Sequence, residues 1–253
     1  MPGTQSGKVA IVTGGTANLG RLFARSLARD GANVMVHYNS AERRGEADET
    51  VAELQGLGVE AAAHQADLTE VAAITRLVDA TIARFGRWDV LVNTSGLIVR
   101  KPLAETTEEE YDRSFAINAK IPYFLMKEAW TKMADDGRIV NLVTTQLAYT
   151  APTYSAYSGS KSPVEHFTKA FAKEIGHRGI TVNCVAPGPQ KTPFLYGAEN
   201  DETLAWLAGQ TISGDLGDPV DVVPVVRFLA APDARWVTAQ TVYVNGGMIS
   251  PIN

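Results

Sequence analysis

The sequence predicts an α/β protein in which a doubly wound parallel sheet carries helices on both faces. Short apolar segments rich in β-branched residues alternate with amphipathic helical segments, and no repeat or linker interrupts this alternation. Such a pattern favours parallel strands joined by right-handed crossovers. Because 253 residues suffice for one sizeable domain, we expect residues 1–253 to form a single domain.

The first strand and helix show the pattern that the rest of the chain repeats. Residues 8–13 (KVAIVT) are apolar and are followed by two glycines, as in a buried strand that enters a turn. Residues 19–29 carry apolar side chains at helical spacing, and Gly31 closes this helix. The same signals predict further strands at 34–36, 61–64, 90–92, 139–143, 181–185 and 241–244, and helices at 41–57, 71–85, 108–120 (extending to 133), 158–175 and 220–229.

Composition and charge narrow the classes of function. Hydrophobic residues make up 45% of the chain and charged residues 20%, which is ordinary for a globular protein. A net charge of −5 gives no reason to expect a nucleic acid or an anionic membrane as partner. Cys184 has no second cysteine for a disulfide or a metal site. Since no signal peptide or membrane-spanning run is present either, we expect a cytoplasmic protein without a metal, nucleic-acid or membrane partner.

Four polar clusters follow predicted strands, at 14–20, 93–96, 144–146 and 187–192. In open parallel sheets, ligands bind outside the carboxyl ends of the strands, where these clusters would meet. The first cluster leads into a helix, whose free N–H groups and dipole favour a phosphate. Gly14 and Gly20 permit close backbone approach, and Asn18 is a residue type that tolerates a left-handed conformation.

Tyr157 and Lys161 are four residues apart on a predicted helix, so both project from the same face. A neighbouring ammonium favours a phenolate and lowers the tyrosine pKa. Lowering that pKa from about 10 to about 7 requires roughly 4 kcal/mol of charge stabilisation. One lysine and one positively charged cofactor ring could supply it in a water-poor site. The alternative is an amphipathic helix whose tyrosine packs and whose lysine extends to solvent.

The end of the second strand bears on cofactor choice. A fold selective for NAD usually places an acidic residue here to hold the ribose hydroxyls, and the sequence HYNS at 37–40 has none. Ser40, with Arg43 or Arg44, could instead bind a 2′-phosphate. We therefore predict NADP(H) as the preferred cofactor, with NAD(H) as the alternative. A capped helix with solvated arginines would explain the same residues without a ligand.

In order and spacing, these motifs resemble those of the short-chain dehydrogenase/reductase family, from Lys8 to Gly247. The glycine turn, the Tyr–Lys pair and the loop at 187–192 each have a counterpart there. The matching segments are TGGTANLG at 13–20, HQADLTE at 64–70, NTSG at 93–96, FAINAK at 115–120, YSGSK at 157–161, PGPQKT at 187–192 and YVNGG at 243–247.

The resemblance implies a Rossmann fold and hydride transfer between a nicotinamide and a carbonyl or alcohol substrate. The catalytic residues it implies are Asn118, Thr144, Tyr157 and Lys161. The implied cofactor-binding residues are Gly14, Thr16, Ala17, Asn18, Leu19, Gly20, Tyr38, Asn39, Ser40, Asp67, Leu68, Asn93, Thr94, Ser95, Gly96, Tyr157, Lys161, Pro187, Gly188, Gln190 and Thr192.

Several positions depart from the family pattern. Thr144 stands where the family usually has a serine, thirteen residues before Tyr157 (157 − 13 = 144). A threonine hydroxyl has the same donor and acceptor groups, so it could still polarise a carbonyl, and Thr145 or Gln146 could share this task. Gln190 replaces a branched apolar residue, which could alter nicotinamide placement. Ser95 replaces an alanine and Asn245 an aspartate; we have no functional account of Asn245.

Substrate recognition is assigned to the loop at 146–154 and to a lid segment, residues 193–217. The expected substrate-binding residues are Thr144, Gln146, Tyr154, Phe194, Leu195 and Tyr196. Their apolar and aromatic character leaves ketones, quinones and 3-oxoacyl groups open as small-molecule substrates. Two other classes also stay open: a non-catalytic NADP-binding sensor, and an interaction protein that uses only the surfaces of the fold. The resemblance further implies a homotetramer, assembled through the helices near 108–133 and 158–175 and through the C-terminal segment.

Overall fold

The strands and helices alternate in the order that the sequence predicts. The computed structural model describes residues 3–249, so the ends of the predicted domain, residues 1–2 and 250–253, lie outside the described residues. The strands are β1 (Val9–Thr13), β2 (Asn33–Tyr38), β3 (Ala61–Gln65), β4 (Val90–Asn93), β5 (Arg138–Leu142), β6 (Thr181–Pro187) and β7 (Thr241–Val244). The helices are α1 (Asn18–Arg29), α2 (Arg44–Gln55), α3 (Val71–Phe85), α4 (Glu108–Phe115), α5 (Ile121–Lys132), α6 (Ser155–Ile175), α7 (Pro193–Tyr196), α8 (Asp201–Gly209) and α9 (Val223–Ala230).

The seven strands form one parallel sheet in the order β3-β2-β1-β4-β5-β6-β7, which confirms the predicted doubly wound topology. The order reverses between β1 and β4, and this switch point leaves a crevice at the carboxyl ends of the strands. The register places Thr13 beside Asn93, and Asn93 beside Asn141. Thr13 Oγ1 donates to Asn93 Oδ1 at 2.7 Å, and Asn141 Nδ2 donates to Thr168 Oγ1 on α6 at 3.0 Å. This polar row lies beneath the crevice.

Two apolar cores cover the two faces of the sheet. Successive side chains of a strand point to opposite faces, so β1 contributes to both cores. Ala10 and Val12 pack in one core with Leu27 of α1, whereas Ile11 packs in the other with the fully buried Trp88. The first core also contains residues of α9, and the second contains residues of α3, α5 and α6. Helices on both faces are therefore present, as predicted.

The helix expected at 108–120 with an extension to 133 is continuous but not regular. It begins with a capping box, in which Thr107 Oγ1 accepts from the Glu110 N–H and the Glu110 carboxylate accepts from the Thr107 N–H. Between α4 and α5, residues Ala116–Lys120 form a single π-helical turn that contains Asn118. Such turns interrupt the i→i−4 hydrogen bonds of a helix and occur frequently at functional sites.

Other helices differ from the prediction mainly at their starts. The helices expected at 41–57 and 220–229 each begin with a 3₁₀ turn, and Pro224 lies in the first turn of α9, where its missing N–H costs no hydrogen bond. The helix α6 begins at Ser155 rather than at 158, which places Tyr157 inside its first turn. None of the helices described between residues 3 and 249 is long and apolar enough to cross a bilayer.

The lid segment contains the short helices α7 and α8. Its two ends lie side by side, because the Lys191 N–H donates to the Gly217 carbonyl at 2.9 Å and the Gly217 N–H donates to the Pro189 carbonyl at 3.0 Å. The lid segment thus leaves the sheet edge and returns to it, and these hydrogen bonds join its two ends.

Candidate active site

A cavity of about 390 Å³ opens at the carboxyl ends of the strands. It brings together most of the residues that the sequence assigns to the site. The predicted residues that line it are Gly14, Thr16, Ala17, Asn18, Leu19, Gly20, Tyr38, Asn39, Asp67, Leu68, Thr94, Ser95, Gly96, Thr144, Gln146, Tyr154, Tyr157, Lys161, Pro187, Gly188, Gln190, Thr192, Phe194 and Leu195.

Four predicted residues do not line this cavity. Asn93 belongs to the buried polar row beneath it, and Asn118 is buried behind the loop that follows β4. Tyr196 points outward and is 47% exposed. The Ser40 side chain hydrogen-bonds to the exposed carboxylate of Glu42, which lowers the pKa of that carboxyl. The family resemblance or the place in the sequence assigned these residues to the site, but each side chain instead contacts a neighbouring polar group or the solvent.

The glycine-rich turn fits a pyrophosphate. Gly14 has φ +60°, and a side-chain Cβ on Gly20 would lie 2.1 Å from the Gly14 carbonyl oxygen, so only glycine allows the turn to close this tightly. Asn18 has φ +48°, the left-handed conformation predicted for it. The N-cap of α1, Ala17, has no side-chain acceptor, and the first turn carries no acidic residue. The first N–H groups of α1 therefore face the cavity without a competing side chain, as a bound phosphate requires.

Tyr157 and Lys161 lie in the same cavity, one turn apart on α6. Both are buried, with exposures of 8% and 4%. The Lys161 ammonium donates to the carbonyl oxygens of Leu142 at 3.0 Å and Ser95 at 3.3 Å, which belong to the end of β5 and to the loop after β4. A Cβ on Gly96 would lie 3.4 Å from Lys161 Nζ, so the chain after β4 passes close to the ammonium. Solvation of the buried charge thus comes from backbone dipoles.

Burial disfavours the charged form of each of these two groups. It raises the pKa of Tyr157 above its ordinary value, with a hydrogen bond to Thr144 opposing the shift, and it lowers the pKa of Lys161 to about 8. The direction for Tyr157 is opposite to the lowering expected from its lysine neighbour. The physical reason is that Lys161 directs its ammonium to two backbone carbonyls and is itself destabilised by burial, whereas the phenol loses its solvation.

Asn118 holds the loop after β4 against α6. Its side-chain amide donates to the Leu97 carbonyl at 2.8 Å and to Ser160 Oγ at 2.9 Å, while its carbonyl oxygen accepts from the Leu97 N–H at 2.9 Å. Ser160 Oγ also contacts Ser114 Oγ at 2.9 Å. The side chain is therefore committed to protein groups, and Asn118 shapes the site from behind.

Thr144 follows β5 with its side chain at the cavity. Its hydroxyl accepts from the Gln146 N–H at 3.3 Å, and its interaction with the Tyr157 phenol opposes the rise in the pKa of that phenol. The neighbouring Thr145 instead donates to the Ala186 carbonyl at 3.3 Å. Gln146 accepts a hydrogen bond from Ser158 on α6. Of the three residues considered for carbonyl polarisation, Thr144 is thus the one whose hydroxyl lies beside the Tyr157 phenol.

His37 is a cavity residue that the sequence analysis did not single out. Its Nδ1 accepts from the Gly14 N–H at 3.3 Å, and its Nε2 contacts the Ala66 carbonyl at 2.8 Å, which requires a hydrogen on Nε2. Burial lowers the pKa of His37 to about 4, so the ring is neutral at physiological pH. It links the glycine turn to the strand end before Asp67. Its only signal in the sequence is its place at the end of the second strand.

The end of the cavity next to the lid segment, which we call the lid end, is apolar and aromatic. The charged or imidazole side chains that line the cavity, Arg43, Asp67, Lys161 and His37, follow the ends of β2 and β3 or belong to the reactive pair. Around the lid segment the lining residues are Ile98, Val143, Tyr149, Tyr154, Phe194, Leu195, Leu207 and Met248. Such a lining accommodates a neutral, largely apolar ligand.

Comparisons with known proteins agree with this fold and site. A sequence profile described as enoyl-(acyl carrier protein) reductase matches residues 15–249. The hydroxynaphthalene reductase-like protein Arp2 of Metarhizium brunneum is 38% identical over 262 residues, which cover 98% of this chain and 97% of that protein. A dehydrogenase from Burkholderia cenocepacia with bound NADP has a TM-score of 0.95 and 45% identity, with 99% of this chain and 96% of that chain covered. The angucycline C-6 ketoreductase LanV with bound NADP has a TM-score of 0.91 and 32% identity, with 97% of each chain covered.

A doubly wound sheet with a phosphate-binding glycine turn and a buried Tyr–Lys pair defines a dinucleotide-dependent oxidoreductase. The chain belongs to the short-chain dehydrogenase/reductase family and is an NAD(P)-dependent enzyme of that family. The predicted preference for NADP(H) agrees with the NADP bound in the Burkholderia dehydrogenase and in LanV.

Replacing Lys161 by methionine tests the burial of its ammonium. The folded protein holds the pKa of Lys161 at about 8, whereas an unfolded lysine titrates near about 10.4. Between these values the unfolded chain binds more protons than the folded chain, so stability rises with pH. The buried charge destabilises the folded protein fully below the lower pKa and no longer destabilises it above the upper pKa. We expect the melting temperature of the parent, relative to Lys161→Met, to increase from about pH 8 to about pH 10.

The control is Lys127→Met, which removes an exposed ammonium on α5. The melting temperature of the parent relative to this variant should not change over the same pH range. If the difference in melting temperature between the parent and Lys161→Met is equally independent of pH, Lys161 is not a buried lysine that loses its charge in this range.

Proposed function

We propose that the protein is an NADPH-dependent reductase of neutral cyclic or aromatic ketones, with Tyr157 as the proton donor. The observation that carries this proposal is the buried set of Tyr157, Thr144 and Lys161 in one cavity, between a glycine turn suited to a dinucleotide and an apolar, aromatic end. The named relatives support the substrate class, since one is a hydroxynaphthalene reductase-like protein and another an angucycline ketoreductase.

Bound NADPH supplies the hydride, and the residues of this chain handle the substrate oxygen. Thr144 donates a hydrogen bond to the carbonyl oxygen, and Tyr157 transfers its proton to that oxygen as negative charge develops on it. Burial raises the pKa of Tyr157, so the phenol is protonated at neutral pH, which is the form that donates a proton. Lys161, which is held by two backbone carbonyls, would hold the nicotinamide ribose of a bound cofactor.

The substrate class follows from the lining of the lid end. Among residues 3–249, that end offers aromatic faces and branched apolar side chains but no charged side chain, so a carboxylate or phosphate would lose its solvation there without a partner. A planar ketone stacks on aromatic side chains such as Tyr149, which itself stacks on Trp206 with ring centroids 6.1 Å apart. A 3-oxoacyl thioester is the second candidate, since the description of the matching profile, enoyl-(acyl carrier protein) reductase, also refers to an acyl thioester.

Turnover separates this proposal from a non-catalytic NADP sensor. With NADPH and bicyclic aryl ketones such as tetralones, the parent should oxidise NADPH, and Tyr157→Phe should lose more than about tenfold in kcat, or more than about 1.4 kcal/mol. Cofactor affinity, measured by fluorescence titration, should stay within a few-fold because the ring is retained. Binding of NADPH by the parent without turnover of any ketone or oxoacyl thioester would favour the sensor.

Adjacent threonines provide a matched pair of variants for the hydroxyl role. Thr144→Ala should reduce kcat severely and Thr144→Ser mildly, whereas Thr145→Ala, which removes a donor to a backbone carbonyl, should have the smaller effect on kcat. If the two alanine variants lose activity equally, carbonyl polarisation is not the specific task of Thr144.

We further propose that Arg43 contributes to the preference for NADPH. Arg43 lines the cavity and pairs with Glu46 at 2.9 Å, whereas Arg44 pairs with Asp48 at 3.7 Å and does not line it. A guanidinium on a 2′-phosphate forms charge-assisted hydrogen bonds. Arg43→Ala should lower the ratio of kcat/KM for NADPH over NADH by about ten- to a hundred-fold, and Arg44→Ala by less than about twofold. Equal effects of the two changes, or a parent that uses NADH as well as NADPH, would refute this role.

The proposed assembly is a homotetramer. An exposed aromatic strip lies between α5 and α6, where Tyr123 is 48% and Trp130 is 45% exposed and both neighbour phenylalanines of α6. Trp236, 92% exposed, marks a second apolar surface near the C-terminus. Light scattering should give four times the chain mass of 27.2 kDa for the parent and a smaller particle for Trp130→Glu. A monomer mass for the parent at micromolar concentration would exclude the tetramer.

A further inference from the structure

A buried charged cluster connects the lid segment to the two loops beside the substrate end of the cavity. The Glu199 side chain, which follows α7, is fully buried and lies 3.1 Å from Arg100 Nη1. Arg100 belongs to the loop after β4, and its Nη2 donates to Thr203 Oγ1 on α8 at 3.0 Å. Glu199 also accepts a hydrogen bond from the phenol of Tyr154, which lines the cavity. One arginine therefore holds two residues of the lid segment, and one glutamate holds a residue of the cavity wall.

Further contacts support the same cluster on the side nearest the sheet. The Arg100 guanidinium lies over the Tyr154 ring, with its carbon 5.7 Å from the ring centroid. The Lys101 N–H donates to the Thr153 carbonyl at 2.9 Å, so the loop after β4 and the loop before α6 are joined next to the cluster. Thr153 has φ +72°, a conformation that a β-branched residue adopts only when its surroundings impose it. The position of Tyr154 is thus fixed both by its contacts with Arg100 and Glu199 and by the hydrogen bond that joins the two loops.

The Arg100–Glu199 ion pair leaves buried polar atoms without hydrogen bonds, which is not expected of a purely structural element. Arg100 and Glu199 are close enough for an ion pair, but Glu199 Oε2 and Arg100 Nε are buried without a hydrogen bond to any residue in the described part of the chain. The Glu199 carboxylate loses its hydration, whereas the Arg100 side chain stays 26% exposed, so the attraction within the pair has to offset the burial of the carboxylate.

We propose that Arg100 and Glu199 are positioning residues for the substrate: together they latch the lid segment over the cavity and fix Tyr154 in its wall. Neither side chain lines the cavity, so both act through the segments that they join. The part of the proposal that concerns the substrate rests on the proposed ketone reduction. The part that concerns the latch does not, since it is defined by contacts within the chain.

The direct test is hydrogen–deuterium exchange of the protein with no substrate added, followed by mass spectrometry of peptides from residues 195–209. Arg100→Met removes the cation and both donors to the lid segment, so amide exchange in 195–209 should become about tenfold faster or more, without a change in the central strands. Glu199→Gln keeps an acceptor for Tyr154 but removes the charge, and its effect should be smaller. If Arg100→Met does not fold, the nearly isosteric Glu199→Gln still provides the test.

A matched control and a conservative variant separate latching from general destabilisation. Arg84 forms an exposed ion pair with Glu60 at 2.6 Å on the far side of the sheet, and Arg84→Met should leave exchange in 195–209 unchanged. Arg100→Lys retains a cation but cannot reach both Glu199 and Thr203, so it should restore part of the protection. The double variant Arg100→Met/Glu199→Gln should open the lid segment less than the sum of the single changes, because it leaves no unpaired charge.

Kinetics then test the effect on the substrate. With aryl ketones, Arg100→Met should raise KM about tenfold and leave kcat within about threefold, since Tyr157 and Thr144 are untouched. Faster exchange with an unchanged KM would overturn substrate positioning, and unchanged exchange in all variants would overturn the latch. Faster exchange throughout the chain would also overturn it, by making the pair a general stability element. If the parent reduces no ketone while exchange still responds locally, the proposed function fails and the latch stands.

Discussion

The burial of one ammonium group organises the candidate site. Lys161 extends from α6 to the end of β5 and the loop after β4, where its Nζ donates to two backbone carbonyls. Taking this charge out of water is unfavourable, and the opposing interactions come from carbonyl groups whose positions are set by the sheet. The residues after β4 must therefore pass close to the lysine, which is why Gly96 has so little room beside Nζ. The position of Tyr157, one turn earlier on the same helix, follows from the same attachment.

The walls of the cavity differ in how well their polar groups are satisfied. Beneath it, side chains of Thr13, Asn93 and Asn141 hydrogen-bond to one another within the sheet. Asn118 makes two hydrogen bonds to Leu97 in the loop after β4 and one to Ser160 of α6. Such buried and fully used networks are rigid. The lid side instead contains an ion pair with unsatisfied atoms and a threonine at positive φ. The polar groups of the reactive side are thus better satisfied than those of the lid side.

The sequence predicted the topology well because the signals were redundant. Apolar strands, helical periodicity and glycines all agreed, and strand ends of a parallel sheet share one edge whatever the details of packing. For this reason the pattern of strands alone sufficed to place the glycine turn and Thr144 at one edge, whereas Asp67 and the Tyr–Lys pair, outside the strand-end clusters, were assigned to the site through the family resemblance. The left-handed Asn18 was also predictable, since few residue types adopt that conformation.

What the sequence could not provide depends on contacts between distant segments. His37 acquires its place through a hydrogen bond to the glycine turn, and the Arg100–Glu199 pair joins residues nearly one hundred positions apart. The direction of the pKa shift of Tyr157 required knowing where the Lys161 ammonium points. Side chains such as Ser40 and Tyr196 stand next to the site in the sequence but turn away from the cavity, which local patterns do not reveal.

The π-helical turn at Ala116–Lys120 limits how the chain can vary in length. A π-helical turn closes i→i+5 rather than i→i+4 hydrogen bonds, so it holds one residue more than an α-helical turn while the helix that follows keeps its direction. One residue fewer within Ala116–Lys120 would therefore restore a regular helix, with the buried Leu125 still in the core and the exposed Trp130 still at the surface. The local widening that carries Asn118 would be lost. A change of length at this point is therefore tied to Asn118, whereas the same change further along α5 would rotate the residues after it by about 100° relative to the core.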